Sequence, residues 1–490
     1  MNRRDFLRAG VIAGAGSLFA GCSSPVRRYA SRGTPDSISP PKADVEPTAR
    51  LVNRVSFGPV PGELQRVRSM GADAYVDEQL RAGREEDFAL RFQLGRLDVH
   101  NINAAELRDL PQEEVIRQLQ QSALLMSVYS PNQLRERMVD FWTNHFNIYV
   151  RKKLSAYRKP TDDISVVRKH ALGKYPDLLR ASAHSPAMLA FLDNQVNRRG
   201  LANENYAREL MELHTMGVQG GYTQKDVQEV ARCFTGWTIE NRFMRPRGTF
   251  RFDPERHDNG AKIVLGEKIP AGGGKKDGDT VLDILAQHPS TAKYISGKIC
   301  RFFLGDGAGA WAGRTAKTYS ETGGDIRAML RPILLAREML KAPPILKRPF
   351  DFMVSSLRAL NADTDCGRPL QNHLEDLGQP LYQWPMPDGY PDITDAWTGS
   401  LLARWNFALA LTAGGMSGTS VDLEKLTAAL KAGGATDATS GLAALILSRP
   451  VDSHDVNAIG AVLRKESVGD SVDHWKTAAL CLASPEFQWH

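Results

Sequence analysis

Apolar residues recur at spacings of three and four along most of the chain, the pattern of amphipathic helices that turn one face toward a core. Leu64 to Leu80 shows it, interrupted by Gly71. Ser130-Pro131-Asn132-Gln133 has the form of a capping box with proline in the first turn, opening a helix through about Ile148. Asn203 is placed to cap a helix running to Met216 and closed by Gly217, and Thr223 with Asp226 start another that ends near Gly236. The same spacing predicts helices around 281–287, 291–304, 324–340, 350–360, 400–412, 421–432, 440–447 and 472–482. Strand alternation is scarce. Thr249–Phe252 and Ile263–Leu265 flank the Asn-Gly turn of Asp258-Asn259-Gly260, which predicts one β-hairpin. Ala271–Asp279, rich in glycine and lysine, reads as a loop. The expected fold is mainly α, a multi-helix globule with one small β-hairpin insertion and no repeat of the length that builds solenoids.

The first residues break this pattern. Asn2-Arg3-Arg4-Asp5-Phe6-Leu7-Arg8 resembles a twin-arginine export signal, and Ala9–Ala20 follows without a charge. That uncharged stretch is shorter than the ~20 residues a bilayer core requires. Leu18-Phe19-Ala20-Gly21-Cys22 resembles a lipobox, with Phe19 departing from the usual aliphatic residue. These features predict a signal peptide over 1–21, a lipid on Cys22 that ties the protein to a membrane, and delivery to the periplasm or cell envelope. Residues 22–48, rich in Ser, Pro and Arg, read as a flexible tether. Residues 49–490 form the helical domain, with a soft spot near 431–440 that suits a subdomain boundary.

Composition changes this picture little. The 490 residues are 42% hydrophobic and 24% charged, with net charge +6, typical of a globular chain long enough to bury a large core. No run of like charge is long enough for a nucleic-acid arm, so nucleic acid is not an expected partner. Cys233, Cys300, Cys366 and Cys481 contain no Cys-x-x-Cys pair, and buried small hydrophobes describe them best. Walker, Rossmann and nucleophile-elbow motifs are missing, which disfavours nucleotide-dependent and α/β-hydrolase chemistry.

Several segments match one family. Leu51-Val52-Asn53-Arg54-Val55-Ser56-Phe57-Gly58-Pro59, Arg135 to Phe146 (RERMVDFWTNHF) and Asn203 to Thr215 (NENYARELMELHT) carry the likeness. Gly220–Thr223, Phe234–Trp237, Phe252–Asp258 and Trp384–Tyr390 continue it. From about residue 49 to the end the chain resembles the bacterial family known as domain of unknown function 1800. The resemblance implies an exported, mainly helical protein, often encoded beside an exported family related to sulfatases and alkaline phosphatases. It implies no particular reaction.

Candidate chemistry must therefore come from the residues themselves. On a helix over 134–149, His145 shares an apolar stripe with Met138, Phe141, Trp142 and Tyr149. On the helix from Asn203, His214 lies among Ala207, Leu210, Met211 and Leu213, opposite Glu204, Asn205, Arg208, Glu209 and Glu212. Two helices thus each send a histidine toward the core. His257 and Asp258, in the acid- and base-rich turn Asp253–Gly260, would complete a site if the fold brought them near. Such a set suits a divalent metal, although Glu209 and Glu212 stand five and two residues before His214, neither being the Glu-x-x-His spacing of helical metal sites. The candidate catalytic residues are His145, His214, Glu209, His257 and Asp258; the metal and any other cofactor stay open. Packed core histidines and a solvated ladder of Glu204, Arg208 and Glu212 account for the same pattern without function. Trp384 and Tyr390, among stiff prolines, form a platform suited to sugars or a partner. Two functions fit: a hydrolase-like envelope enzyme acting on a cell-surface polymer, or a non-catalytic scaffold or binding protein for a phosphatase- or sulfatase-like exported partner.

Overall fold

Capping chemistry and tight turns set most element boundaries. The computed structural model describes residues 45–451 and 474–490, apart from Phe243 and Thr436. The signal stretch, Cys22 and most of the tether lie outside the described residues. The described chain is mainly α, with three two-stranded antiparallel ribbons. Gly71 separates helices Glu63–Met70 and Ala72–Arg81, as the periodicity predicts. Helix α1 spans Gln133–His145. It starts later than the capping-box pattern suggests, because Ser130 Oγ accepts from Asn132 N at 3.1 Å. It also stops short of Ile148, where Phe146 leaves helical geometry.

Helix α2 opens as expected, with Asn203 accepting from Asn205 N at 2.9 Å. It runs as an α-helix over Glu204–Glu209 and widens to a π-helix over Leu210–Thr215. Thr215 Oγ1 donates to the Leu210 carbonyl five residues back at 2.7 Å. Insertions of this kind collect at functional sites. Helix α3 (Gln224–Cys233) carries the full Thr223–Asp226 capping box.

The predicted hairpin is corrected. Its strands exist but take other partners: β1 (Trp237–Ile239) pairs with β2 (Phe250–Phe252), and β3 (Lys262–Val264) with β4 (Glu267–Ile269). Leu265 and Gly266, both at positive φ, make the two-residue turn between β3 and β4. Asp258-Asn259-Gly260 instead lies in a loop, where Asp258 binds Arg232. A third ribbon joins β5 (Asp363–Thr364) to β6 (Thr419–Ser420). The expected loop over 271–279 is also shorter, since helix α4 (Lys276–Gln287) begins inside it and buries Asp277. Helix α5 (Pro289–Leu304) and helix α6 (Pro349–Ala359) follow.

Two hydrophobic cores organise these elements. One gathers the inner faces of α1, α2, α3, α4 and α5 with the segments up to Ala342. The other joins the helix Gln112–Tyr129 to α6 and the segments from Leu346 to Trp489. The helices on either side of 431–440, Leu423–Ala432 and Ala438–Leu447, both contribute to the second core. Cys233, Cys300, Cys366 and Cys481 are buried, and no disulfide joins cysteines among the described residues. Among the described residues no helix is long and apolar enough to cross a membrane.

Candidate functional site

A cleft of about 560 Å³ opens where the two cores meet. Phe141 and His145 come to it from α1, Tyr294 and Lys298 from α5, and Tyr390 and Trp397 from the loop that closes the third side. Two asparagines of the α1 region fix that loop. Asn144 donates to the Tyr390 carbonyl at 2.9 Å and accepts from Tyr390 N at 2.7 Å. Asn147 donates to the carbonyls of Trp384 and Met386 at 2.9 and 2.6 Å. Gly389 allows this approach, having φ +78° and a Cβ position only 2.3 Å from the Asn144 carbonyl.

His145 is 2% exposed and stands against Phe141, Trp142 and Phe146. Its Nε2 lies 3.1 Å from the His214 carbonyl oxygen, which can only accept, so the ring proton sits on Nε2. Nδ1 is then the acceptor, taking a hydrogen bond from Lys298 Nζ at 3.3 Å on the cleft wall. Burial, helped by the Lys298 charge, holds His145 well below the ordinary imidazole range. Burial likewise lowers the Lys298 ammonium.

The His214 ring centroid lies 6.0 Å from that of His145. The His214 carbonyl also accepts from the Tyr175 hydroxyl. Its own Nε2 is buried without a partner, and burial drops its pKa to about 3. The π-turn explains the neighbouring Leu213. Placed with the core by an α-helical wheel, it lies partly exposed on the cleft wall, because the wider helix rotates each residue less. Glu209 is half-buried, and burial together with Glu212 and Asp388 raises its carboxyl. Asp388 lines the cleft and accepts from Trp384 Nε1 at 2.9 Å. Arg208 pairs with Glu204 at 3.0 Å, the first rung of the predicted ladder.

The other candidates lie elsewhere. His257 is fully buried, with Nδ1 2.7 Å from the Thr235 carbonyl and Nε2 3.1 Å from Asp277 Oδ2. Lys262 Nζ meets the same carboxylate oxygen at 2.5 Å. None of these partners touches His145 or His214. Asp258 is held by Arg232 through bonds of 2.8 and 3.1 Å, which with other contacts lower its carboxyl to about 2. The structure therefore joins His145 to His214 and separates both from the 253–260 turn. Trp384 and Tyr390 do form an aromatic row that continues to Trp397, with centroid spacings of 5.0 and 5.9 Å.

Lys298, Arg137 and Arg348 escape the sequence argument. The available signal is a lone lysine on the apolar side of α5, between Ile295 and Phe302, and arginines within otherwise buried segments. Among the described residues, no three or more His, Cys, Asp or Glu side chains are grouped to hold a metal ion. The arrangement offers instead a neutral, oriented imidazole beside an ammonium in a water-accessible cleft. That pair can take up and return a proton and stabilise developing negative charge. No curated protein and no solved structure matches the chain. The chain belongs to the family described as Protein of unknown function (DUF1800), which matches residues 50–489.

Proposed function

We propose that the protein is an exported, lipid-anchored envelope enzyme that hydrolyses a cell-surface polymer, with His145 as base and Lys298 as charge stabiliser. The supporting observation is the His145 tautomer, fixed by the His214 carbonyl so that its unprotonated Nδ1 accepts from Lys298 at the cleft. The Arg3-Arg4 signal and Cys22 support export and anchoring. Tyr390 and Trp397, largely buried in the second core, form part of the cleft wall. In the reaction, water displaces Lys298 Nζ from Nδ1, and Nδ1 takes a proton from that water while its oxygen attacks the scissile centre. The charge that develops is stabilised by the Lys298 ammonium, and the imidazolium returns its proton to the leaving group. Burial of the dyad keeps His145 neutral, the form a base requires.

The test is release of soluble fragments from isolated sacculi and envelope polysaccharide by the purified mature protein. Wild type releases fragments, and His145→Gln and Lys298→Met each slow release by roughly 10²-fold or more with the fold intact. The proposal fails if wild type releases nothing, or if both variants match it. Tight retention of an exported phosphatase- or sulfatase-like protein without any release would favour the scaffold function instead.

A further inference from the structure

The inner end of the cleft holds more positive charge than its own carboxylates balance. Arg137, 2% exposed and on the cleft lining, has its guanidinium carbon 4.9 Å from the Phe57 ring centroid and 4.7 Å from that of Phe302. It pairs with Asp351, while its Nε is buried without a partner. Arg348 reaches the other Asp351 oxygen at 3.0 Å and also binds Asp140. Behind them Arg54, 1% exposed, donates to the Pro343 carbonyl at 2.7 Å and leaves Nε and Nη1 unpartnered. Lys347, also buried, stands 3.7 Å from the Phe487 ring centroid. Arg137, Arg348, Lys347 and Arg404 thus share Asp351, with Asp140 as the second carboxylate, and Arg54 adds its charge beside Arg137.

A surplus of buried cations is costly unless an anion compensates it. The group shows that strain in its ionisation: burial and the Arg50 and Arg137 charges lower Arg54 to about 9, and burial lowers Lys347 to about 7. Arg348 spends Nε and Nη2 on Asp351 and Asp140 and Arg137 spends Nη1 on Asp351, which leaves Arg348 Nη1 and Arg137 Nη2 as the donors for an oxyanion.

We infer that the inner end of the cleft is an oxyanion subsite, in which Arg137 and Arg348, backed by Arg54 and Lys347, receive a phosphate, sulfate or carboxylate group. The inference rests on the hydrolytic proposal only in making that group part of the polymer; the subsite itself requires no turnover. The bound polymer is then an acidic one, with its charged substituent at the inner end and its scissile bond at His145 and Lys298.

Isothermal titration of the mature protein with sulfate, phosphate and glucuronate, at constant ionic strength and with glucose as the neutral control, tests this. Saturable binding of at least one anion and none of glucose is expected, and Arg137→Lys weakens it by roughly tenfold because the fork is lost. If that variant does not fold, phenylglyoxal modification of the wild-type protein supplies the answer. Bound anion then shields Arg137 and Arg348 several-fold more than exposed Arg245. His145→Gln keeps the anion affinity. Wild type that binds the anion yet releases no polymer fragments leaves the subsite standing and sinks only the hydrolytic proposal. Absence of saturable binding by all three anions, shielding no greater than at Arg245, or loss of affinity with His145 overturns the subsite.

Discussion

His145 and His257 are both imidazoles withdrawn from water, yet their surroundings differ in what they leave undone. Both nitrogens of His257 meet oxygen acceptors, and the Asp277 carboxylate that serves one of them also serves Lys262. His145 has one nitrogen bonded to a backbone carbonyl and the other to Lys298, a partner that itself lines the cleft. Its neighbour His214 has a ring nitrogen with no partner. Residue type and burial are shared; a partner on the cleft wall and an unsatisfied neighbouring imidazole are not. A closed knot holds structure together, whereas an open one keeps capacity for a proton or a ligand.

The sharpest way to break this comparison is Asp277→Ala. Removing the shared carboxylate leaves Lys262 buried without its counter-charge, so a loss of about 3–5 kcal/mol is expected from urea unfolding. A loss below about 1 kcal/mol would mean that the His257 knot is no more structural than the His145 pair. Next comes Gly389→Ala, which forces a Cβ against the Asn144 carbonyl at a positive φ. About 2–3 kcal/mol is expected, with loss of fragment release as the Trp384–Tyr390 loop moves off α1. Unchanged stability and release would show that this loop does not shape the cleft.

The most gradual effect concerns pH, spread over several units. Burial lowers the folded-state pKa of His145 and His214, so below about 6.5 the unfolded chain binds protons that the folded chain refuses. Their stabilisation is complete above that pH and falls away on acidification, for His214 down to about 3. Each imidazole steepens the decline by about 1.4 kcal/mol per pH unit. His214→Gln should flatten the curve by one proton between pH 4 and 6, measured by urea midpoints; an unaltered slope would contradict a buried neutral His214.

Helix positions from Asn203 onward were largely legible in the sequence, because the spacing that marks an amphipathic face also decides burial. Helices Gln112–Tyr129, Ser155–Asp162, Tyr175–Ala183 and Arg368–Asp376 went unread, as did Gly309–Thr322, whose glycine, alanine and threonine residues give a weak stripe. The hairpin failed for a related reason. An Asn-Gly pair is a local turn signal, but the partners of Phe250–Phe252 and Lys262–Val264 were decided by packing of Trp237 and by the Leu265-Gly266 turn. At the site, the inward aim of His145 and His214 was visible from periodicity, and their meeting was not, since it spans 69 residues. Asn144 and Asn147 stood beside the stripe, yet only the fold shows them gripping a loop almost 250 positions away. Lys298 carried no motif at all.

The widened turn over Leu210–Thr215 has a consequence for how this helix tolerates change. Such a segment is a helix holding one residue more than its ladder needs. Excising a single position there would restore tidy i to i−4 bonding and swing everything beyond it by roughly 100°. The His214 carbonyl would then leave His145, and the imidazole would lose the contact that decides which nitrogen bears its hydrogen. Regularity and aim are opposed at this point of the backbone, so the less regular helix is the one that keeps His145 correctly set.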